Sequence, residues 1–165
     1  MPTSNARVAA LLCQERNGTL CIATHVPAKS DMTTDYSQTT LTAHLDNEQP
    51  MTAMQKAVAS QLNVRRGQIS LQLIPGAVRS SNGKTYIWLI VFLPPNAVVR
   101  EDSKRIQQLV WNTARMLPAS VQAMNEGRRR MFVDALTVSC ERGWLRQSFP
   151  RQILDELKNL VTASA

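Results

Sequence analysis

The chain has 165 residues, of which 44% are hydrophobic, and its formal net charge is +7 at pH 7. This length and composition predict one globular domain that buries a real core, and they exclude a disordered or repetitive protein. The longest apolar stretch covers residues 86–93, far short of the roughly 20 residues that a membrane span requires.

Two apolar runs near the N-terminus predict a β-hairpin. They cover residues 7–14 and 19–24, and Asn17-Gly18 between them is a strong signal for a tight turn. Residues 39–45 follow, alternating polar and apolar side chains. That pattern is typical of a half-buried strand.

Residues 47–64 predict an amphipathic helix. Pro50 suits its first turn, where the missing N–H costs nothing, and Asn63 is expected in the left-handed conformation that ends a helix. Apolar side chains recur at three- and four-residue steps, so one face is predicted to pack inward. These side chains are Met51, Met54, Val58 and Leu62.

The middle of the chain predicts further strands. Residues 68–74 alternate cleanly, Pro75-Gly76 is expected to break that strand, and residues 81–83 read as a turn. Residues 86–93 form the most hydrophobic stretch. They are typical of a strand buried on both faces, as in a sheet between helices.

The last third predicts two helices. Residues 126–145 carry apolar side chains on one side, namely Phe132, Leu136, Cys140 and Trp144. A second helix, over residues 151–161, has an apolar stripe formed by Ile153, Leu154, Leu157, Leu160 and Val161. Because so short a helix is marginal alone, the stripe must be buried. Its own domain, a second copy or another protein are the alternatives.

The spacing around helix 47–64 resembles the Nudix box. That box reads Gly, five residues, Glu, seven residues, Arg-Glu, an aliphatic residue, one residue, Glu-Glu, one residue, Gly and an aliphatic residue. The sequence fits it without a gap. At the box positions stand Thr42 for the first Gly, Glu48 for the first Glu, Lys56 for the Arg, Ala57 for its Glu, Val58 for the aliphatic, Ser60 and Gln61 for the Glu pair, Asn63 for the last Gly and Val64 for the closing aliphatic.

The order of elements is also similar to a Nudix domain over residues 5–145. Residues 109–111, which end in Trp111, resemble the family's late strand, and residues 116–118 resemble the end of its following short helix. The resemblance implies an α/β (α+β) fold, an α-β-α sandwich with a mixed sheet. We expect it to cover residues 1–148, with an extra C-terminal amphipathic helix over 149–165.

The resemblance implies a chemistry that this chain has lost. Nudix enzymes split a diphosphate linked to a nucleoside, using divalent cations held by helix glutamates. Mg²⁺ demands charged oxygen ligands, and glutamates one helical turn apart can converge on one ion. Ala57, Ser60 and Gln61 supply no negative charge, and Glu48 alone is a weak anchor. We therefore expect no catalytic residue, metal site or cofactor.

Positive charge is concentrated in residues 65–115, which hold eight Lys and Arg against Glu101 and Asp102. In a Nudix-like fold this stretch borders the substrate cleft, where a positive field would attract a phosphate-bearing ligand or nucleic acid. A solvated basic surface is the alternative. The candidate anion contacts are Lys56, Arg65, Arg66, Arg79 and Lys84. Strand register decides which of them face the cleft.

Three adjacent arginines, Arg128 to Arg130, need a separate interpretation. On a helix they fan over about 200°, so they cannot all face one ligand. At least one is expected to lie along the edge of the core, and phosphate contact with nucleic acid is the alternative.

The three cysteines predict a reducing compartment. Cys13, Cys21 and Cys140 lie in apolar patterns without paired metal spacing, so buried free thiols are expected, with a Cys13–Cys21 bridge as the alternative. The N-terminus lacks the pattern of a signal peptide. A cytoplasmic protein is the expectation.

Three functions compete. The first is a catalytically inactive Nudix-like binding module, regulatory or scaffolding, that recognises a phosphate-bearing ligand or a protein partner. The second is a hydrolase of nucleoside diphosphate derivatives with relocated metal ligands among Asp46, Glu48, Glu101 and Asp102. The third is a pure protein-interaction or oligomerisation domain that binds a protein partner or a second copy through its C-terminal helix.

Overall fold

Six strands and four helices make up the part of the chain that the computed structural model describes, residues 6–27, 38–81, 83–101, 106–145 and 149–163. The strands are β1 (Ala6–Arg16), β2 (Thr19–Pro27), β3 (Thr42–His44), β4 (Ser70–Ser81), β5 (Lys84–Phe92) and β6 (Ile106–Asn112). The helices are α1 (Pro50–Leu62), α2 (Leu117–Gln122), α3 (Glu126–Glu141) and α4 (Arg151–Ala163). Short 3₁₀ turns precede β4 and α2.

β1 lies at the centre of a mixed sheet. The strand order is β4-β5-β1-β2-β6, with β3 pairing along the first residues of β1. β1 and β5 are parallel, and the other pairs are antiparallel. Successive β1 side chains point to opposite faces, so Ala9 and Leu11 pack with α2, α3 and α4 while Val8 and Ala10 pack with α1. The predicted α-β-α sandwich is confirmed.

The predictions for the β1–β2 turn and for the two ends of α1 are confirmed. Asn17 and Gly18 have φ of 54° and 80°, so both residues of the β1–β2 turn are left-handed, as a tight hairpin requires. Asn63 ends α1 at φ 55° and ψ 44°. Pro50 occupies the first turn of α1, as expected.

β5 is buried on both faces, as its composition predicts. Trp88, Leu89, Ile90 and Val91 have no exposed surface. The Trp88 ring meets Phe132 of α3 edge-on, with centroids 6.3 Å apart and planes at 80°. Aromatic pairs prefer this geometry because the positive edge of one ring faces the negative face of the other.

Three expectations about element limits were wrong. β4 continues through Pro75 to Ser81, because a register shift between Leu73 and Val78 absorbs the proline and β4 is an edge strand. Residues 117 and 118 begin a short helix instead of ending one, with the proline in its first turn. α3 ends at Glu141, where Gly143 with φ of 76° turns the chain away.

The inward face of α1 is shorter than its periodicity predicts. Met54, Val58 and Leu62 are fully buried against the sheet. Met51 is 40% exposed, although Ala53 and Met54 in the same part of α1 are buried.

The apolar stripe of α4 faces its own domain. Leu157 is fully buried in the cluster shared with α2 and α3, and Ile153, Leu154, Leu160 and Val161 pack partly buried against it. None of the helices in the described ranges has the length and apolar character needed to cross a bilayer.

All three cysteines are free thiols. Burial raises the pKa of Cys13 and Cys21, and it also raises that of Cys140. A raised thiol pKa keeps the unreactive protonated form, so these side chains serve as small apolar groups.

Candidate functional site

A cavity of about 280 Å³ lies between β3, the turn that follows it and α1. We call it the α1 cavity. Its polar lining consists of His44, Asp46, Glu48, Lys56, Ser60 and Gln61. The turn brings two carboxylates to the rim because Asp46 and Asn47 both adopt left-handed conformations, with φ of 47° and 65°. Asp and Asn tolerate that region better than other side chains with a Cβ.

The three positions where a Nudix box carries helix glutamates are occupied by groups without charge. Ala57 is 9% exposed and presents a methyl group, while Ser60 is exposed. Gln61 is buried, and its Nε2 donates to the carbonyl of Thr42 at 3.4 Å. This amide therefore ties α1 to β3.

Lys56 and Glu48 form an ion pair across the mouth of the α1 cavity. Their side chains are 52% and 31% exposed, so solvent screens the attraction and the pair contributes less than about 1 kcal/mol to stability. The pair has a second effect. It holds the ammonium group of Lys56 against Glu48, the one carboxylate among the box positions.

Asn63 preserves the geometry of the last box glycine. Its left-handed backbone ends α1, and its Nδ2 donates to the carbonyl of Arg100 at 3.2 Å. The N–H of Arg100 donates in turn to the carbonyl of Leu62. Asn63 therefore ends α1 at the position of the last box glycine, while positions 57, 60 and 61 carry no charge.

The candidate anion contacts lie in separate places. Of the candidate contacts whose side chains are described, Lys56 lines the α1 cavity. Arg65 and Arg66 are exposed beyond the end of α1, where Gln55 Nε2 binds the Arg66 carbonyl at 2.8 Å. Lys84 is exposed at the start of β5. Arg79 lies on β4, and its side chain falls outside the described residues. Their part in ligand binding stays a prediction.

The three adjacent arginines of α3 do three different things. Arg129 donates to the carbonyls of Val121, Gln122 and Met124, at 3.1 to 3.3 Å, and so stabilises the end of α2 and the turn that follows it. Arg130 is exposed and lies 3.9 Å from Glu126. Arg128 points to the sheet.

Arg128 is a candidate functional residue, and its sequence position does not reveal the contacts that hold its guanidinium. Its guanidinium carbon lies 4.9 Å from the centroid of the Tyr86 ring, over the ring face. Its Nη1 donates to Thr40 Oγ1 at 3.1 Å. These contacts join α3 to Tyr86 of β5 and to Thr40 ahead of β3, which lie 42 and 88 residues from Arg128 in sequence.

His25 of β2 is buried beside this arginine. Its backbone N–H and carbonyl both pair with Thr39, at 3.0 and 2.9 Å. Burial, and to a smaller extent the charge of Arg128, lowers the pKa of His25 to about 4. The imidazole is therefore neutral at physiological pH.

This pKa predicts a loss of stability in acid. An unfolded chain protonates His25 near its ordinary pKa of 6.5, while the folded chain resists protonation down to about 4. The free energy of unfolding should thus fall as the pH drops from 6.5 to 4, by on the order of 3 kcal/mol from this group. His25→Gln should flatten that slope in urea titrations. An unchanged slope in His25→Gln would contradict the assignment.

Comparison with solved structures identifies the fold. The chain is similar to the Ap4A hydrolase of C. elegans, with a TM-score of 0.56 and 13% identity over 80% of this chain and 97% of that one. It is similar to the Nudix hydrolase RenU of M. smegmatis, with a TM-score of 0.54 and 13% identity over 84% and 82% of the two chains.

A third likeness is to the bifunctional NMN adenylyltransferase/ADP ribose pyrophosphatase of Francisella tularensis, in complex with AMP and a manganese ion. Its TM-score is 0.55, with 11% identity over 83% of this chain and 41% of that one. No protein-family model and no curated protein matches the chain. The likenesses show that the chain has the Nudix fold, as the resemblance of its sequence implies.

Proposed function

We propose that this Nudix-fold chain binds a phosphate-bearing ligand derived from a nucleotide and does not hydrolyse it, acting as a regulatory or scaffold module. One observation carries the proposal. The α1 face offers a methyl group at Ala57, a hydroxyl at Ser60 and an amide at Gln61 that already binds Thr42. The free thiols of the three cysteines suit a reducing compartment such as the cytoplasm.

The donor groups of the α1 cavity do not fit a divalent cation. Mg²⁺ takes near-octahedral oxygen ligands and is usually held by carboxylates. Within the described ranges, no group of three or more His, Cys, Asp and Glu side chains could hold a metal ion. A cation that approached Glu48 would also meet the ammonium group of Lys56. We therefore assign no step to a metal.

Nucleotide derivatives are the ligand class that the comparisons support best. The neighbour from C. elegans is an Ap4A hydrolase, and the one from Francisella tularensis holds AMP. A net charge of +7 favours an anionic ligand over a neutral one. Nucleic acid is the other polyanion that this charge would attract.

Hydrolysis and binding should be measured separately. Ap4A, ADP-ribose, ADP and a short RNA are incubated with the protein in Mg²⁺ or Mn²⁺ and the products are separated by chromatography. We expect no cleavage above the protein-free blank, and binding of at least one nucleotide by calorimetry that weakens with added salt. Metal-dependent turnover would overturn the non-catalytic assignment, and absence of binding to every compound would overturn the ligand-binding one.

A hydrolase with relocated metal ligands is the second candidate, because Asp46 and Glu48 do line the same cavity. Glu101 is elsewhere, accepting a bond from the Leu109 N–H at 3.3 Å, and Asp102 falls outside the described residues. Metal-dependent cleavage of Ap4A that disappears in Glu48→Gln would establish this candidate.

A further inference from the structure

Basic residues converge where β1 and β5 begin. These strands are parallel, and Arg7 lies opposite Tyr86. β4 runs antiparallel to β5 and brings the backbone of Arg79 opposite the same tyrosine. β3 places His44 opposite Arg7, whose Nη1 donates to His44 Nδ1 at 2.8 Å. Lys84 is the first residue of β5.

α3 adds Arg128 to this group, on the face where Tyr86 and Ala9 pack. Because Arg7 is two residues from Ala9 on the same strand, it shares that face. Arg7 and Arg128 therefore flank Tyr86, one beside it in the sheet and the other stacked on its ring. We call Arg7, Lys84 and Arg128 the basic sheet end.

Contacts orient the guanidinium of Arg128 before any ligand arrives. The Tyr86 ring fixes its plane and Thr40 Oγ1 fixes one edge. The group is half-buried, and a partly desolvated charge acts on a neighbouring anion more strongly than an exposed one. Burial is the main cause of the lowered pKa of His25, and the positive charge of Arg128 contributes to it as well.

The α1 cavity has the opposite balance. Asp46 and Glu48 contribute two carboxylates there, against the single ammonium of Lys56. A phosphate group entering it would meet net negative charge, without a bridging metal ion to offset the repulsion. His44 lines the α1 cavity and contacts Arg7, so the two places adjoin, and the two carboxylates make the α1 cavity the less favourable of the two for an anion.

We propose that the phosphate group of the ligand binds at the basic sheet end, between the guanidinium groups of Arg7 and Arg128, and not in the α1 cavity. This inference rests on the proposed function, which leaves the position of the phosphate open. Guanidinium groups suit this role because their planar N–H donors match phosphate oxygens in pairs. Both arginines also have other contacts.

The test measures binding of ADP and of adenosine by calorimetry at low salt, since the two differ only in the diphosphate. Arg7→Met and Arg128→Met keep the length of the side chain and remove its charge. Each should weaken ADP binding about tenfold or more, as expected for loss of a charged hydrogen bond. Arg130→Met is the matched control, because it removes an exposed arginine from the same helix, and it should leave ADP affinity unchanged. Thermal melting confirms that each variant is folded.

The outcomes separate this inference from the proposed function. ADP binding that survives both substitutions would overturn the inference alone. ADP binding that is no tighter than adenosine binding would overturn both, because the phosphate would then contribute nothing to recognition. A loss of ADP binding in Lys56→Met, with Arg7→Met unaffected, would place the phosphate in the α1 cavity and also overturn the inference. If Arg128→Met does not fold, Arg7→Met decides the matter because Arg7 lies near the surface. Failure of the unaltered protein to bind any nucleotide would overturn both.

Discussion

Returning glutamates to positions 57, 60 and 61 should create a divalent-cation site on α1. The triple variant Ala57→Glu, Ser60→Glu and Gln61→Glu places three carboxylates within about one helical turn, beside Asp46 and Glu48. Metal affinity rises with the number of charged oxygen ligands. We expect the affinity for Mn²⁺ to increase by about a hundredfold or more, measured by calorimetry or by the loss of the free-ion paramagnetic resonance signal.

The same variant should depend on the metal for stability. Positions 57 and 61 are 9% and 6% exposed, and buried carboxylates without partners destabilise a fold by several kcal/mol. Without metal, the variant should melt below the unaltered protein. Saturating Mn²⁺ should raise its melting temperature, because a ligand that binds only the folded state stabilises it.

A matched variant separates charge from size. Ala57→Gln with Ser60→Gln has amides of glutamate shape at the same positions, next to the native Gln61, and should show no Mn²⁺-dependent shift in melting temperature. An equal shift in both variants would mean that the cation binds elsewhere. The absence of a shift in the glutamate variant would show that the missing carboxylates are not what prevents metal binding.

The features that sequence could predict depend on near neighbours. Pro50 and Asn63 mark the ends of α1 through their own backbone preferences, and Asn17-Gly18 fixes a hairpin in the same way. The box itself spans one loop and one helix, so its spacing alone locates Thr42 and Gln61, which the fold brings into contact.

The features that sequence could not predict depend on register and on distant contacts. The stacking of Arg128 on Tyr86 joins residues 42 apart, and nothing near either residue specifies it. The continuation of β4 past Pro75 required knowing that it is an edge strand. Met51 lies at a helical phase that predicts burial, but its exposure depends on packing that the phase does not specify.

Replacing Leu157 should reveal whether α4 belongs to the domain core or to an interface between copies. The side chain is fully buried among α2 and α3, so Leu157→Ala should lower the free energy of unfolding by about 2–5 kcal/mol. Lys158→Ala is the matched control, since that side chain is exposed and its loss should change stability by less than about 0.5 kcal/mol.

The oligomeric state distinguishes the two roles. If α4 is part of the core, Leu157→Ala lowers stability in urea titrations while sedimentation of the folded protein stays the same. If α4 instead joins two copies, the variant should shift sedimentation toward the monomer at unchanged monomer stability. We expect the first result, because an apolar stripe already covered by its own domain leaves little surface with which to bury a second chain.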